Sequence, residues 1–281
     1  MELIKDLQIK FDTYLVSNKL SRNPINLYEP ADYILSLGGK RLRPVFTLLG
    51  SVLFGGKSEK ALDAAMAVEV FHNFTLIHDD IMDQAEVRRG YPTVHLKYNT
   101  NTAILSGDVM MIQAYQYLLC YDDPVLVKDM LQVFNKMAAE VCEGQQMDMD
   151  FETLETVTIG DYLEMITKKT SVLMGASFRL GAMIAGADIQ DQVHIYEFAK
   201  NFGIAFQLQD DVLDTFGDGS QVGKKIGGDI VQNKKTYLYL KAMELSDNSQ
   251  QDTLIKLYSS KNIGFNPENK IEQVTQIFES V

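Results

Sequence analysis

Several residue types that point to particular functions are rare in this sequence. Its 281 residues include two cysteines, four histidines, six prolines and no tryptophan. Cys120 and Cys142 form neither a metal-ligand pattern nor a disulfide framework, so a reducing cytoplasm is the expected compartment. No apolar run is long enough to span a bilayer, and the charged first residues do not resemble a signal peptide. Any lipid substrate is therefore expected to reach a protein without a membrane span.

Basic residues are also comparatively few. The chain has 26 Lys and Arg against 38 Asp and Glu, which gives a net charge of −12. This charge argues against nucleic acid as a partner, and against general electrostatic binding to an anionic membrane surface. A hydrophobic content of 46% is ample for a sizeable core.

The scarcity of proline favours helices. Proline breaks helix interiors, and none occurs between Pro44 and Pro92 or between Pro124 and Pro267. Apolar residues recur in these intervals at spacings of three and four, as at Ala61, Ala64, Ala65, Val68 and Phe71. Strand-like alternation is scarce. The pattern predicts an all-α fold, with residues 1–281 forming one domain: a single bundle of roughly ten helices around a central cavity.

Two aspartate-rich motifs of the form Asp-Asp-x-x-Asp lie within long predicted helices, at residues 79–83 and 210–214. Helix residues four apart share a face, which places Asp79 beside Asp83 and Asp210 beside Asp214. Adjacent carboxylates without His or Cys ligands suit Mg²⁺, which fills its other positions with water and substrate phosphate. Two such clusters facing each other are expected to hold a polyphosphate through bridging metals.

A solvated acidic face is the alternative for either motif alone. For the pair it is disfavoured by the apolar flanks, Thr75-Leu76-Ile77 before the first motif and Ile204-Ala205-Phe206 before the second. Carboxylates in an apolar setting have to be paired or to bind metal.

Cationic residues cluster in segments that accompany the two acidic motifs. Arginine grips phosphate with a planar fork, and lysine acts as a mobile point charge. Any one of these cations alone would be read as an ordinary surface charge. Their placement beside the two acidic motifs is what predicts a diphosphate site. The segments are Gly38-Gly39-Lys40-Arg41-Leu42-Arg43, Arg88-Arg89, Lys168-Lys169, Lys224-Lys225 and Lys234-Lys235.

Five motifs in order make the chain resemble the trans-prenyltransferases, the short-chain isoprenyl diphosphate synthases that make farnesyl and geranylgeranyl diphosphate. They are GGKRLRP, LIHDDIMDQAEVRRG, KKTS, FQLQDDVLD and GKKIGGDIVQNKKT, between Gly38 and Thr236. The resemblance implies an all-α homodimer. Family members usually continue well beyond the 45 residues that follow Thr236 here, so their C-terminal helices, which help to close the active site, are expected to be missing.

The resemblance also implies the metal site. Asp79, Asp83 and Asp210 are expected to coordinate the Mg²⁺ ions, about three per active site once diphosphate is bound. Asp80 and Asp214 are expected to support them as direct or indirect ligands.

The substrates implied by the resemblance are an allylic diphosphate and isopentenyl diphosphate. The allylic diphosphate is expected to contact Arg88, Lys169, Lys224 and Lys234. The residues expected around isopentenyl diphosphate are Lys40, Arg43, His72 and Arg89. Gln207, which shares the metal-facing side of its helix, is expected to line the allylic pocket, and Thr170 to lie near the reacting carbons.

The implied reaction joins isopentenyl diphosphate to dimethylallyl, geranyl or farnesyl diphosphate and yields a C15–C20 trans-prenyl diphosphate. Three alternatives stay open: a longer-chain synthase, a terpene cyclase and a non-catalytic subunit of a heteromeric synthase. A cyclase normally carries an Asn/Ser/Glu metal motif where this chain has its second aspartate motif. A non-catalytic subunit is expected to have lost carboxylates, and none is lost here.

Two phenylalanines are candidates for setting the product length. In the resembling family the product grows toward the start of the helix that carries the first aspartate motif. Phe74 and Phe71 lie five and eight residues before Asp79. Bulky side chains there act as a floor, but helical spacing alone fits two ordinary core aromatics equally well.

Overall fold

Helices make up almost the whole structure. The computed structural model describes residues 2–154, 156–217, 226–259 and 266–281. These residues form fourteen α-helices and one two-stranded antiparallel hairpin. The all-α prediction is confirmed. The helices are more numerous than the ten expected, partly because two of them have only four residues.

The first part of the chain contains seven α-helices and the hairpin. They are α1 (Glu2–Ser17), α2 (Ile25–Ser36), α3 (Leu42–Leu53), α4 (Leu62–Met82), β1 (Val87–Arg88), β2 (Tyr91–Pro92), α5 (Val94–Lys97), α6 (Thr100–Leu118) and α7 (Pro124–Thr153). The remaining helices are α8 (Ile159–Ile166), α9 (Val172–Ile184), α10 (Ile189–Phe216), α11 (Gly228–Val231), α12 (Tyr237–Leu245), α13 (Asn248–Tyr258) and α14 (Pro267–Ser280). A π-helical turn, Thr167–Ser171, joins α8 to α9. No helix within the described ranges combines the length and apolar character needed to cross a bilayer.

The chain forms two compact units. The first comprises Met1–Ala139 with Val172–Asn201, and the second Glu140–Ser171 with Phe202–Val281. Helices α7 and α10 contribute residues to both units. The expectation of one domain over residues 1–281 stays a prediction.

Helix α4 is at the centre of the first unit. Every residue from Ala64 to Phe71 is buried, and the helix packs against α3 and α6. Helices α3 and α9 approach so closely that a Cβ at Gly181 would lie 2.0 Å from the backbone oxygen of Thr47. The packing of α4 against α3 and α6 holds in place the helix whose last turn carries the first aspartate motif.

The second unit has its own apolar core, which holds α8 and α11–α14. Its buried members include Tyr162, Ile166, Ile230, Tyr239, Leu254 and Val274, and Ile204 and Leu208 of α10 pack against them. The core therefore fixes the part of α10 that precedes the second aspartate motif.

The start of α8 is set by a capping box. The Thr158 hydroxyl accepts from the Asp161 backbone N–H at 3.1 Å, and the Asp161 carboxylate accepts from the Thr158 N–H at 2.9 Å. The two bonds satisfy donors that a helix start leaves without partners. Helix α8 then leads directly into the π-helical turn.

The π-helical turn carries Lys169 and Thr170 and is flanked by two glycines. A Cβ at Gly144 of α7 would lie 2.2 Å from the Lys169 backbone nitrogen, and one at Gly203 of α10 would lie 2.8 Å from the Ser171 Cα. Only glycine lets both helices come this close to the turn. Turns of this kind interrupt α-helices frequently at functional sites.

Candidate active site

The first aspartate motif occupies the end of α4. Asp79 and Asp80 lie in the last helical turn, and Asp83 caps the helix, its backbone N–H donating to the Asp79 carbonyl at 2.8 Å. Asp79 and Asp83 are partly exposed, whereas Asp80 is buried, with 1% of its surface exposed. Neighbouring carboxylates of one motif thus have different environments.

Asp80 is paired with Arg88 of the hairpin. The arginine Nε lies 2.8 and 2.9 Å from the two carboxylate oxygens, and Nη2 lies 2.7 Å from Oδ1. Burial raises the pKa of Asp80 above its ordinary value, and the hydrogen bonds and charge of Arg88 oppose that rise. The same arginine comes within 3.8 Å of Asp79. The predicted metal and diphosphate residues of this motif are therefore in direct contact.

The predicted isopentenyl diphosphate residues lie in the same unit. Arg43 Nη1 is 3.2 Å from His72 Nε2, and Arg89 donates to the carbonyl of Gly38. A Cβ added at Gly39 would lie 3.0 Å from the central carbon of the Arg89 guanidinium. A side chain at position 39 would therefore displace Arg89. Lys40, which follows Gly39 in the sequence, is exposed.

Arg41 differs from the two other cations of its segment. It is buried, bonded to Glu69 and, at 2.6 Å, to the Leu35 carbonyl, and it lies 3.5 Å from Asp12. The segment therefore does not present three equivalent cations. Arg41 fixes the loop to the core, while Lys40 and Arg43 are more accessible.

The second aspartate motif also combines accessible and buried carboxylates. On α10, Asp210 is exposed and Asp211 is buried. Asp211 accepts from the Tyr162 hydroxyl and, at 3.1 Å, from the Gln207 amide. Burial raises the pKa of Asp211 to about 6, although these hydrogen bonds favour its charged form. Asp214 is also buried, and its carboxylate accepts from the backbone N–H of Asp229 at 3.0 Å, at the start of α11.

Thr170 and Gln207 are in direct contact. The Thr170 hydroxyl donates to the Gln207 side-chain carbonyl at 3.2 Å, while the Gln207 amide donates to Asp211. Gln207 thereby connects the π-helical turn to the second aspartate motif. The sequence placed it on the metal-facing side of its helix but did not identify this connection.

Asp148 of α7 is a site residue that sequence reasoning missed. Its carboxylate is buried and lies 2.6 Å from Lys169 Nζ and 2.9 Å from Lys234 Nζ. Burial acts to raise the pKa of Asp148, but the two lysines outweigh it and hold the pKa below its ordinary value. Little in the sequence signals it, because Asp148 lies in the run Met147-Asp148-Met149-Asp150 and nothing in that run marks which carboxylate is buried.

The other predicted residues are placed as follows. Phe71 is fully buried, and its ring centroid is 5.4 Å from that of Phe74 and 5.2 Å from that of Phe134. Phe74 is also buried, and its ring centroid is 4.9 Å from that of His78. Lys224 lies outside the described residues.

The donor set suits magnesium in combination with a substrate. Within the described ranges, no three His, Cys, Asp or Glu side chains are grouped so as to hold an ion by themselves. Mg²⁺ needs only one or two protein carboxylates when water and substrate phosphate complete its shell. Asp79 and Asp83, four residues apart and both partly exposed, fit this requirement.

Each of the two units thus contains an aspartate motif and basic side chains, the residue types that a diphosphate-binding protein needs. Comparison with known proteins gives the family. The model of the polyprenyl synthetase family matches residues 24–280. The chain belongs to this family, so the resemblance inferred from the five motifs is confirmed, and with it the class of prenyltransferase.

Individual relatives agree with this assignment. A short chain isoprenyl diphosphate synthase of Methanocaldococcus jannaschii is 41% identical over 237 residues, which is 84% of this chain and 72% of the relative. A geranylgeranyl diphosphate synthase of Methanosarcina mazei is 43% identical over 222 residues, 79% of this chain and 68% of the relative. The crystal structure of a geranylgeranyl pyrophosphate synthase superposes with a TM-score of 0.94 at 48% identity, covering 99% of this chain and 85% of that one.

His72 provides a test of the first unit's electrostatics. Burial, followed by the charges of Arg43, Arg89, Arg88 and Arg41, holds the pKa of His72 well below its ordinary value. The folded protein therefore keeps His72 neutral where the unfolded chain takes up a proton. Stability is expected to fall as pH drops through about 6.5, by up to about 1.4 kcal/mol per pH unit.

Two measurements check this expectation. The NMR chemical shift of the His72 ring should stay constant from about pH 8 to pH 6. In the His72→Gln variant, the free energy of unfolding should fall less than in the wild type as the pH drops below about 6.5. A His72 titration with a midpoint near 6.5 would contradict the account.

Proposed function

We propose that the protein is a magnesium-dependent prenyltransferase that condenses isopentenyl diphosphate with dimethylallyl, geranyl or farnesyl diphosphate to form a C15–C20 trans-prenyl diphosphate. The observation that carries the proposal is the division of each aspartate motif. Asp80 and Asp211 are buried and hydrogen-bonded, whereas Asp79, Asp83 and Asp210 remain accessible. The names of the relatives support the same reaction.

Asp79, Asp83 and Asp210 would hold magnesium, about three ions once diphosphate is bound, with Asp80 and Asp214 supporting them. When bound, the metal stabilises the negative charge that develops on the departing diphosphate. Asp80 fixes Arg88, and Asp214 fixes the start of α11. Both residues therefore orient their surroundings even where they do not touch an ion.

The allylic diphosphate is assigned to Arg88, Lys169, Lys234 and Lys224. Asp148 holds the ammonium groups of Lys169 and Lys234 on one carboxylate. A preorganised pair of cations loses little conformational freedom when the substrate binds, so more of the binding energy is retained. Asp148 thus acts as a positioning residue for both lysines.

Isopentenyl diphosphate is assigned to Lys40, Arg43, His72 and Arg89. The neutral state of His72 makes it a hydrogen-bond donor or acceptor and leaves the arginines as the charged groups. Arg89 is preorganised by its bond to Gly38.

The chemical step breaks the bond between the allylic carbon and its diphosphate oxygen and forms a carbon–carbon bond to the alkene of isopentenyl diphosphate. A proton is then lost to the released pyrophosphate. The Thr170 hydroxyl and the Gln207 side-chain carbonyl, hydrogen-bonded to each other, provide dipoles suited to the positive charge on the allylic carbon.

Product analysis by mass spectrometry tests the proposal. The protein should convert isopentenyl diphosphate and an allylic diphosphate to a longer prenyl diphosphate with Mg²⁺ and not with chelator. Asp79→Asn should lower kcat/KM by about 10²–10³-fold, because it removes charge stabilisation in the transition state. Asp129→Asn, at an exposed aspartate of α7, is the matched control and should retain wild-type activity.

Other products would favour the alternatives. A cyclised hydrocarbon would indicate a terpene cyclase, and condensation only in the presence of another polypeptide would indicate a subunit of a heteromeric synthase. Chelator-resistant condensation would contradict the magnesium assignment.

The product length is assigned to Phe74, with Phe71 behind it. Phe74 lies between the rings of Phe71 and His78 on α4, the helix of the first aspartate motif. Truncating Phe74 to Ala removes most of a large side chain and should shift the product by at least one isoprene unit, with a further shift in the double variant with Phe71→Ala.

Phe11→Ala is the matched control, because Phe11 is as fully buried as Phe71 but belongs to α1. Its truncation should cost about 3–5 kcal/mol of stability without changing the product. Unchanged product lengths in both α4 variants would contradict the assignment.

We also propose a homodimer that uses the outer face of α6. Leu105 and Ile112 of α6 and Leu119, which directly follows α6, lie seven residues apart and are 58%, 54% and 57% exposed. Such a row of apolar side chains suits a two-fold contact with a second copy. Sedimentation should give twice the chain mass of 31.7 kDa, and Ile112→Glu should give the monomer.

Ile255→Glu, at a comparably exposed isoleucine of α13, is the control and should leave the dimer intact. A wild-type mass of one chain would contradict this proposal. The two exposed cysteine thiols suit a reducing cytoplasm, which we assign as the compartment; cell fractionation checks it.

A further inference from the structure

Lys270 of α14 is a buried cation outside the residues considered so far. Only 6% of its surface is exposed, and burial lowers its pKa to about 8. Its ammonium donates to the Ile230 carbonyl and the Asn233 side-chain carbonyl, and it lies 4.9 Å from the centre of the Tyr258 ring. Among the described residues no carboxylate pairs with it. Within the described part of the chain, its contacts are therefore with neutral groups, and they fix the geometry of those groups.

The groups that Lys270 holds belong to the end of α11 and to the turn that follows it. Ile230 lies in that helix, and Asn233 has the left-handed backbone conformation, with φ of 60°. Asparagine tolerates this conformation better than most residues. The next residue is Lys234, whose backbone N–H donates to the Asp229 carbonyl at 2.9 Å.

The same turn thus sets the direction of Lys234. Its ammonium contacts Asp148 at 2.9 Å, beside Lys169. A chain of contacts leads from Lys270 through Asn233 to Lys234 and Asp148, all within the second unit.

A second contact of α14 secures the other end of α11. Ile271 packs on Gly227, where an added Cβ would lie 2.7 Å from the isoleucine side chain. The Gly227 N–H donates to the Asp214 carbonyl at 2.7 Å. Helix α11 is therefore held at its start by Asp214 and at its end by Lys270.

We propose that Lys270 is a positioning residue for diphosphate binding, which acts by fixing the Asn233 turn and thereby the ammonium of Lys234. The inference rests on the proposed function, because it assigns Lys234 to the allylic diphosphate. It gives the C-terminal helix α14 a role in substrate binding without contact between Lys270 and the substrate.

Calorimetric titration with inorganic pyrophosphate in the presence of Mg²⁺ tests the proposal in a double-mutant cycle. Lys270→Met should weaken pyrophosphate binding about tenfold, the scale expected when a buried hydrogen-bonding group is removed. In a Lys234→Met background the same change should weaken binding less than about twofold, because residues that act through one another are not additive.

Controls separate positioning from simple loss of stability. Lys241→Met removes a partly exposed lysine of α12 in the same unit and should bind pyrophosphate like the wild type. If Lys270→Met does not fold, Asn233→Gly provides a second route, because glycine keeps the left-handed conformation and removes the acceptor of Lys270. That variant should likewise weaken binding.

Two results would overturn the inference: wild-type binding in the Lys270→Met or Asn233→Gly variant, or equal losses in both backgrounds of the cycle. Wild-type protein that neither binds pyrophosphate with Mg²⁺ nor condenses the substrates would instead contradict the proposed function. The two failures are therefore distinguishable.

Discussion

Buried carboxylates that must keep a hydrogen-bonded partner determine much of the candidate site. Asp80 is bonded to Arg88, Asp211 to Tyr162 and Gln207, and Asp148 to Lys169 and Lys234. An unpaired charge in these positions would cost several kcal/mol, so each partner is held in one orientation. Arg88, Lys169 and Lys234, which are assigned to the allylic diphosphate, are thereby held in place before any substrate binds.

Much of the fold and some of the site could be predicted from the sequence. Long proline-poor intervals with apolar residues at spacings of three and four identified the helices, and α4 and α10 carry the aspartate motifs as expected. Spacing placed Asp79 beside Asp83 but could not show which carboxylate of the motif is buried, because the burial of Asp80 depends on Arg88 packing against it. The same applies to Arg41, which the sequence grouped with Lys40 and Arg43 but which bonds Glu69 in the core.

Contacts between residues far apart in the sequence account for most of what was missed. Asp148, the π-helical turn beside Gly144 and the buried Lys270 each depend on segments that meet only in the folded chain. A glycine in a helix indicates that another segment of the chain approaches closely, but it does not identify that segment. The family assignment, by contrast, needed no three-dimensional contact, because five ordered motifs identified it and the family model confirmed it.

The central claim is that the accessible Asp79, Asp83 and Asp210 bind metal, while the buried Asp80 and Asp211 hold protein groups. A crystal structure with Mn²⁺ in place of Mg²⁺ and with inorganic pyrophosphate, located by anomalous scattering, tests it most directly. The account predicts ions on Asp79, Asp83 and Asp210, with Asp80 still bonded to Arg88 and Asp211 to Tyr162. Ions bound to Asp80 and Asp211 with those bonds broken, or no ion at either motif, would contradict it.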